Sequence, residues 1–94
     1  MIRSYRNRET ERFEAGERIR QWEPFRLQAE KRLRILDVAT SLGDLAALNS
    51  NRLEALEGDR KGQYSIRIND QGRVCFEWPK DERGPSNVEI VDYH

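Results

Sequence analysis

Cysteine and histidine are nearly absent: the chain holds one of each, Cys75 and His94. A lone thiol rules out an internal disulfide and fits a reducing compartment. One Cys and one His do not make a structural zinc site. Cys75 reads as a small buried hydrophobe, since no partner for a catalytic dyad stands near it. No apolar run approaches the roughly 20 residues of a membrane span. The opening Met1-Ile2-Arg3-Ser4-Tyr5-Arg6 lacks the apolar stretch of a secretory signal. No glycine-rich phosphate loop is present, which leaves nucleotide hydrolysis without support. These absences describe a cytoplasmic protein with no membrane contact, no metal and no cofactor.

Lysine is scarce as well, since 14 of the 17 cationic residues are Arg. Arg offers phosphate a flat, bidentate fork that Lys does not. Net charge is zero, which argues against a strong non-specific nucleic-acid binder. The charge is unevenly spread, however. Residues 1–34 carry ten cations against six acids, and residues 35–94 carry seven against eleven. Most of these arginines read as a solvated helical surface laced with ion pairs. The chain has 94 residues, 36% of them apolar and 36% charged. That length suits one domain over residues 1–94 with one core and a very polar surface.

The periodicity changes half-way along. Residues 1–5 alternate as a short first strand. Asn7 caps a helix with Glu9 and Glu11 in its first turn, and Gly16 stops it. Pro24 reads as the first residue of a second, longer helix, with Trp22 stapling onto Leu27. Phe25, Ala29, Leu33, Leu36 and Thr40 form its buried stripe, and Gly43 ends it. Residues 44–48 add a short helical turn. From there the period is two. Residues 53–57 form a strand, and a basic turn at Arg60-Lys61-Gly62 follows. Residues 63–69 place Tyr64, Ile66 and Ile68 on one face and Ser65, Arg67 and Asn69 on the other. Asn69-Asp70-Gln71-Gly72 forms a hairpin turn. The next strand separates Val74, Phe76 and Trp78 from Arg73, Cys75 and Glu77. A polar loop spans 79–85, and 88–93 is the last strand.

The fold class expected is therefore α+β, with two N-terminal helices packed on a twisted antiparallel sheet. Tyr64, Ile66, Ile68, Val74, Phe76, Trp78, Val88 and Ile90 should meet the helices. The other face should show Arg67, Arg73, Glu77, Glu89, Val91 and Tyr93, with Arg52 and Glu54 from the first long strand. That face holds the parts for metal-free RNA cleavage, in which a 2′-hydroxyl attacks its own phosphate. The reaction needs a base, an acid for the departing 5′-oxygen and a cation beside the crowded phosphate. Glu54, His94 and Arg73 supply these types, and Tyr93 can stack on a base. Each also has a plain reading. Glu54 and Tyr93 are ordinary strand residues, Arg73 is a cross-strand ion-pair partner, and His94 by position alone reads more simply as a frayed terminus.

Two blocks carry a resemblance. Asn51-Arg52-Leu53-Glu54-Ala55-Leu56-Glu57-Gly58-Asp59-Arg60 and Gly62-Gln63-Tyr64-Ser65-Ile66-Arg67-Ile68-Asn69-Asp70-Gln71 resemble the centre of HigB-type toxins. Arg73-Val74-Cys75-Phe76-Glu77-Trp78 and the ending Val88-Glu89-Ile90-Val91-Asp92-Tyr93-His94 extend it. The chain is similar to the GraT-like members of the RelE superfamily in particular. The resemblance implies a RelE-like fold and a ribosome-dependent endoribonuclease (an mRNA interferase) acting on A-site codons of the 70S ribosome. It also implies a HigA-type helix-turn-helix antitoxin through which the pair touches operator DNA. On that basis Arg73 looks like the phosphate-stabilising residue. Asp92, Tyr93 and His94 look like the catalytic C-terminal cluster, and Arg52, Arg60, Lys61, Arg67 and Gln71 are the expected RNA contacts. Glu54 and Glu57 stand where some members carry a histidine and a lysine, which shifts the expected base role onto Glu54. Two other readings fit the same scaffold: a toxin that binds a protein target such as gyrase, and a catalytically weakened toxin acting as an antitoxin partner.

Overall fold

The computed structural model describes residues 1–92. Helix α1 (Arg8–Glu14) starts where the sequence places it, with the Asn7 side-chain oxygen accepting from the Thr10 amide at 2.9 Å. Its end is set by Gly16, whose φ of +105° lets the chain turn back. The Gly16 and Glu17 amides then donate to the carbonyls of Phe13 and Arg12. The Phe13 side chain is the main apolar payload of this short helix, buried against Trp22 in an edge-to-face contact of 5.4 Å.

The second helix begins later than Pro24. A 3-10 turn spans Arg20–Phe25 and contains Pro24, and α2 runs Arg26–Val38. The physical reason lies in the pitch of three residues per turn, which puts Ile19, Trp22 and Phe25 on one side. All three are buried. Trp22 is therefore spent on Phe13, and Leu27, its expected staple partner, is 68% exposed. Ala29, Leu33 and Leu36 form the buried stripe of α2, but Thr40 does not join it. The helix ends at Ala39, whose ψ of 140° takes the chain out of the helix and buries Ala39 itself. Thr40 instead donates its amide and hydroxyl to the Asp44 carboxylate. Ser41 caps α3 (Leu42–Ala46), so Gly43 lies inside a helix rather than breaking one.

Strands β1 (Glu54–Ala55), β2 (Gln63–Arg67), β3 (Gly72–Glu77) and β4 (Ser86–Asp92) form an antiparallel meander in that spatial order. The expected strand over residues 53–57 shrinks to two residues, because Arg52 enters it left-handed and a 3-10 turn at Gly58–Arg60 follows closely. Asn69 closes the β2–β3 hairpin by accepting from the Gln71 and Gly72 amides. One sheet face buries Ile66, Val74, Phe76, Val88 and Ile90 in a single core with the helices. Tyr64 and Trp78 are partly buried at its edge, each against Phe76. At roughly 1.5–3 kcal/mol for each large apolar side chain removed from water, this shared core is what holds helices to sheet.

The first five residues do not make a strand. They pair with β4 through a parallel bridge, Tyr5 to Val88, and the Ser4 hydroxyl oxygen accepts from the Asn87 amide at 2.8 Å. The pairing stops there for two reasons. A bulge between Cys75 and Glu77 puts Asn87 at a φ of +51°, which bends β4. Further along, the Ile90 amide is taken by the buried hydroxyl of Thr10 at 3.1 Å. A helix side chain thus seals an edge that a neighbouring strand would otherwise fill. Gly84 makes the N-terminal docking possible, since a Cβ there would stand 2.0 Å from the Met1 carbonyl oxygen. Gly84→Ala is expected to lose about 1–3 kcal/mol, because backbone has to move. A urea unfolding curve should show a lower midpoint with an unchanged slope, and a parental midpoint would mean the N-terminal segment is not tightly docked.

Candidate active face

The sheet face turned away from the helices is organised in rows by strand register. Arg67 pairs with Arg73, which pairs with Val91 on β4. The next row is Glu54, Ser65, Cys75 and Glu89. The far row holds Gln63, Glu77 and Ser86. Period-two alternation had assigned these parities. Cys75 is buried here as its residue type suggested, but alternation did not anticipate that Ser65 is fully buried on the same face. Arginine side chains hydrogen-bond to its polar groups, Arg73 to Ser65 and Arg60 to Gln63 and Glu89.

Arg73 stands at the centre. Its Nε donates to the Ser65 hydroxyl oxygen at 2.7 Å, and its Nη2 donates to the Arg52 carbonyl at 2.8 Å. Glu54 Oε1 is 3.9 Å from Nη2. The Arg73 side chain is only 17% exposed, whereas Glu54 is 61% exposed. As an ion pair this contact contributes little to stability, being long and largely solvated. As an arrangement it puts a carboxylate beside a held cation. Asp92 lies opposite Gly72, one residue from Arg73. Tyr93 and His94, named as the stacking and acid groups, lie outside the described residues. Glu57 is exposed and caps the Gly58–Arg60 turn through its carbonyl.

The residues expected to contact RNA divide into two sets. Arg60 is held by the Gln63 side chain at 2.9 Å and by Glu89 at 2.6 Å. Arg6, arriving from the N-terminal segment, also faces Glu89 and Glu77 at 3.7 and 3.8 Å. This second ionic group occupies the Gln63 and Glu77 end of the face, away from Glu54. Arg67 is likewise engaged, donating to the Asn69 carbonyl and pairing with Asp70 on the hairpin turn. Arg52, Lys61 and Gln71 have exposed side chains. Sequence reasoning missed Ser65, Gln63 and the Arg52 carbonyl as part of the site. For Ser65 a signal existed, because its parity with Arg67 already put it on this face. A main-chain carbonyl has no such signal.

Comparison with known proteins bears on what this face is for. Residues 3–94 match the family described as RelE-like toxin of type II toxin-antitoxin system HigB. The chain belongs to the HigB-like toxin family. A curated relative, Toxin HigB-1 of Vibrio cholerae serotype O1, is 48% identical over 48 residues, covering 51% of this chain and 50% of that protein. The match thus spans about half the length of that relative. Among solved structures, a YoeB/ParE toxin from Agrobacterium tumefaciens shows 20% identity over 78% of this chain and 89% of that chain, with a TM-score of 0.39. That likeness is too distant to bear on function. As a HigB-like toxin the chain has the α+β architecture expected of it, and among the described residues no helix is long and apolar enough to cross a membrane.

Among the described residues, a phenol with a strongly displaced ionisation, Tyr5, lies away from this face. Burial, and next the Glu14 carboxylate to which it is hydrogen-bonded, push Tyr5 from its usual value of 10.0 to about 12. The fold therefore holds the phenol neutral. Its contribution to stability is complete below pH 10.0 and is lost as pH rises through about 12. Alkaline unfolding of the parent and of Tyr5→Phe should accordingly differ: the parent loses stability across that window more steeply than the variant. Parallel curves would contradict the placement of Tyr5 against Glu14.

Proposed function

We propose that this HigB-like toxin is a metal-independent endoribonuclease that cuts messenger RNA on the ribosome. The observation that carries the reading is the Arg73 guanidinium, fixed by two hydrogen bonds with the Glu54 carboxylate beside it. A 2′-hydroxyl attacks the adjacent phosphorus. Its proton passes to Glu54, the new 2′-oxygen–phosphorus bond closes a cyclic phosphate, and the 5′-oxygen–phosphorus bond breaks. The leaving 5′-oxygen takes a proton, a role assigned to His94 with Asp92 and Tyr93 beside it in sequence. Charge accumulates on the phosphate oxygens along this path, and a cation already in position stabilises it without reorganising.

The exposed Arg52, Lys61 and Gln71, with Arg67 and Arg60 on the flanks, would grip the RNA backbone. The natural partners on this reading are the 70S ribosome with its A-site message, and a HigA-type antitoxin that alone contacts operator DNA. The place of action is the cytoplasm.

Two substitutions test the chemistry. Arg73→Ala should lower cleavage of ribosome-bound message by about a hundred- to a thousandfold, the usual effect of losing one preorganised donor to a developing oxyanion. Glu54→Ala should cost about a hundred- to ten-thousandfold if it is the base. Primer extension on purified ribosome complexes reads both rates. A parent chain that cuts no message refutes the nuclease reading, parental cutting by Arg73→Ala removes Arg73 from the mechanism, and parental cutting by Glu54→Ala moves the base role elsewhere.

A further inference from the structure

Arg73 is restrained more heavily than a sheet-surface arginine needs to be, and the restraint is built from several elements. Its Nε is tied to Ser65, a fully buried residue on the adjacent strand β2. Its Nη2 is tied to the Arg52 carbonyl, which belongs to the loop before β1. Arg52 reaches that position with φ 49° and ψ 52°, a left-handed conformation unfavourable for a long side chain. Something must hold it there. The neighbouring Asn51 is fully buried and donates from Nδ2 to the Leu45 carbonyl at 3.0 Å. Its Oδ1 accepts from Arg32 Nη1 of α2 at 2.7 Å. The Asn51 and Arg52 amides donate in turn to the carbonyls of Leu48 and Asn49.

We propose that Ser65 is a positioning residue for Arg73, and that Asn51, gripped by Arg32 and the Leu45 carbonyl, fixes the second anchor by holding the Arg52 carbonyl in place. The proposal rests on the ribonuclease reading and extends it. An arginine has five N–H donors, and the two ties use one on Nε and one on Nη2. They stop the guanidinium plane from turning, and no hydrogen bond among the described residues uses Nη1, the edge assigned here to a phosphate oxygen. A cation positioned before substrate arrives costs nothing to orient when the phosphate becomes crowded. Free arginine side chains pay for that order at each encounter. Ser65 and the Arg52 carbonyl touch no reacting atom on this account, and they act only through Arg73.

The test uses the full chain, nitrogen-15 labelled, with the Arg73 Nε–H signal assigned by its loss in Arg73→Lys. Ser65→Ala should still fold, with its melting temperature lowered by roughly 4–8 °C, since the largely buried Arg73 Nε–H loses its acceptor. Its kcat on ribosome-bound message should fall about ten- to a hundredfold. Its KM should stay within about twofold, because substrate contacts are untouched. Water exchange of the Arg73 Nε–H should speed up by about tenfold or more once its acceptor is gone. Asn51→Ala should accelerate the same exchange whatever it does to stability. Parental kcat and slow exchange in Ser65→Ala would overturn the role of Ser65. A destabilised Asn51→Ala with unchanged exchange would reduce Asn51 to a structural residue. If the parent chain cuts no RNA, the nuclease reading fails by itself, and the exchange rates still decide whether the clamp exists.

Discussion

A guanidinium that is mostly withdrawn from water must find acceptors, and this constraint shapes the working side of the molecule. Arg73 cannot shed its charge, so burying most of its side chain forces the neighbouring elements to supply oxygen atoms at hydrogen-bond distance. Strand β2 supplies the Ser65 hydroxyl, and the loop before β1 supplies a carbonyl. The loop supplies it only because Arg52 is bent left-handed, and that bend is held from α2 and α3 through Asn51. The helical layer, which looks like a passive cover for the sheet, thereby reaches the opposite face.

The same face solves its electrostatics twice, in different ways. At the Glu77 and Gln63 end, cations and carboxylates neutralise one another: Arg60 and Arg6 share Glu89, and Arg6 also faces Glu77. At the Arg73 end, the hydrogen-bond acceptors among the described residues are neutral groups, and the exposed Glu54 carboxylate stands 3.9 Å away. A guanidinium held by a hydroxyl and a carbonyl keeps its full charge for an incoming anion, whereas one held by a carboxylate spends it. This difference sets the Arg73 end of the sheet apart from the Glu77 and Gln63 end. Arg60 and Arg67 are engaged within the protein, whereas Arg52 and Lys61 are exposed.

Much of the scaffold was legible before any coordinates. The alternation in 63–69 and 73–78 correctly separated the core-facing Ile66, Val74 and Phe76 from the Arg73 face, because one buried side enforces register. Asn7 capped its helix as read. The failures cluster where local geometry served the core in a way that periodicity does not express. Pro24 sits inside a 3-10 turn that brings Trp22 and Phe25 to the same side, and no helical-period count distinguishes that turn from the first turn of α2. Thr40 was assigned to a stripe that Ala39 ends, its polar groups being drawn to Asp44. The first strand shrank to a single bridge at Val88, beside the bulge in β4, and two residues further on the Ile90 amide is taken by Thr10.

From the order of residues alone follow the α+β class, the parity that puts Glu54 and Arg73 on one face, and the likeness to HigB-type toxins. These properties depend on side-chain type at fixed spacing, which a linear chain displays directly. Tertiary structure decided that Arg73 is clamped and Arg60 is spent, that Ser65 is buried on a polar face, and that a left-handed Arg52 delivers a carbonyl to the site. Each depends on which main-chain atoms meet across elements distant in sequence. Carbonyl oxygens are the same in every residue, so only their positions in the folded chain reveal them.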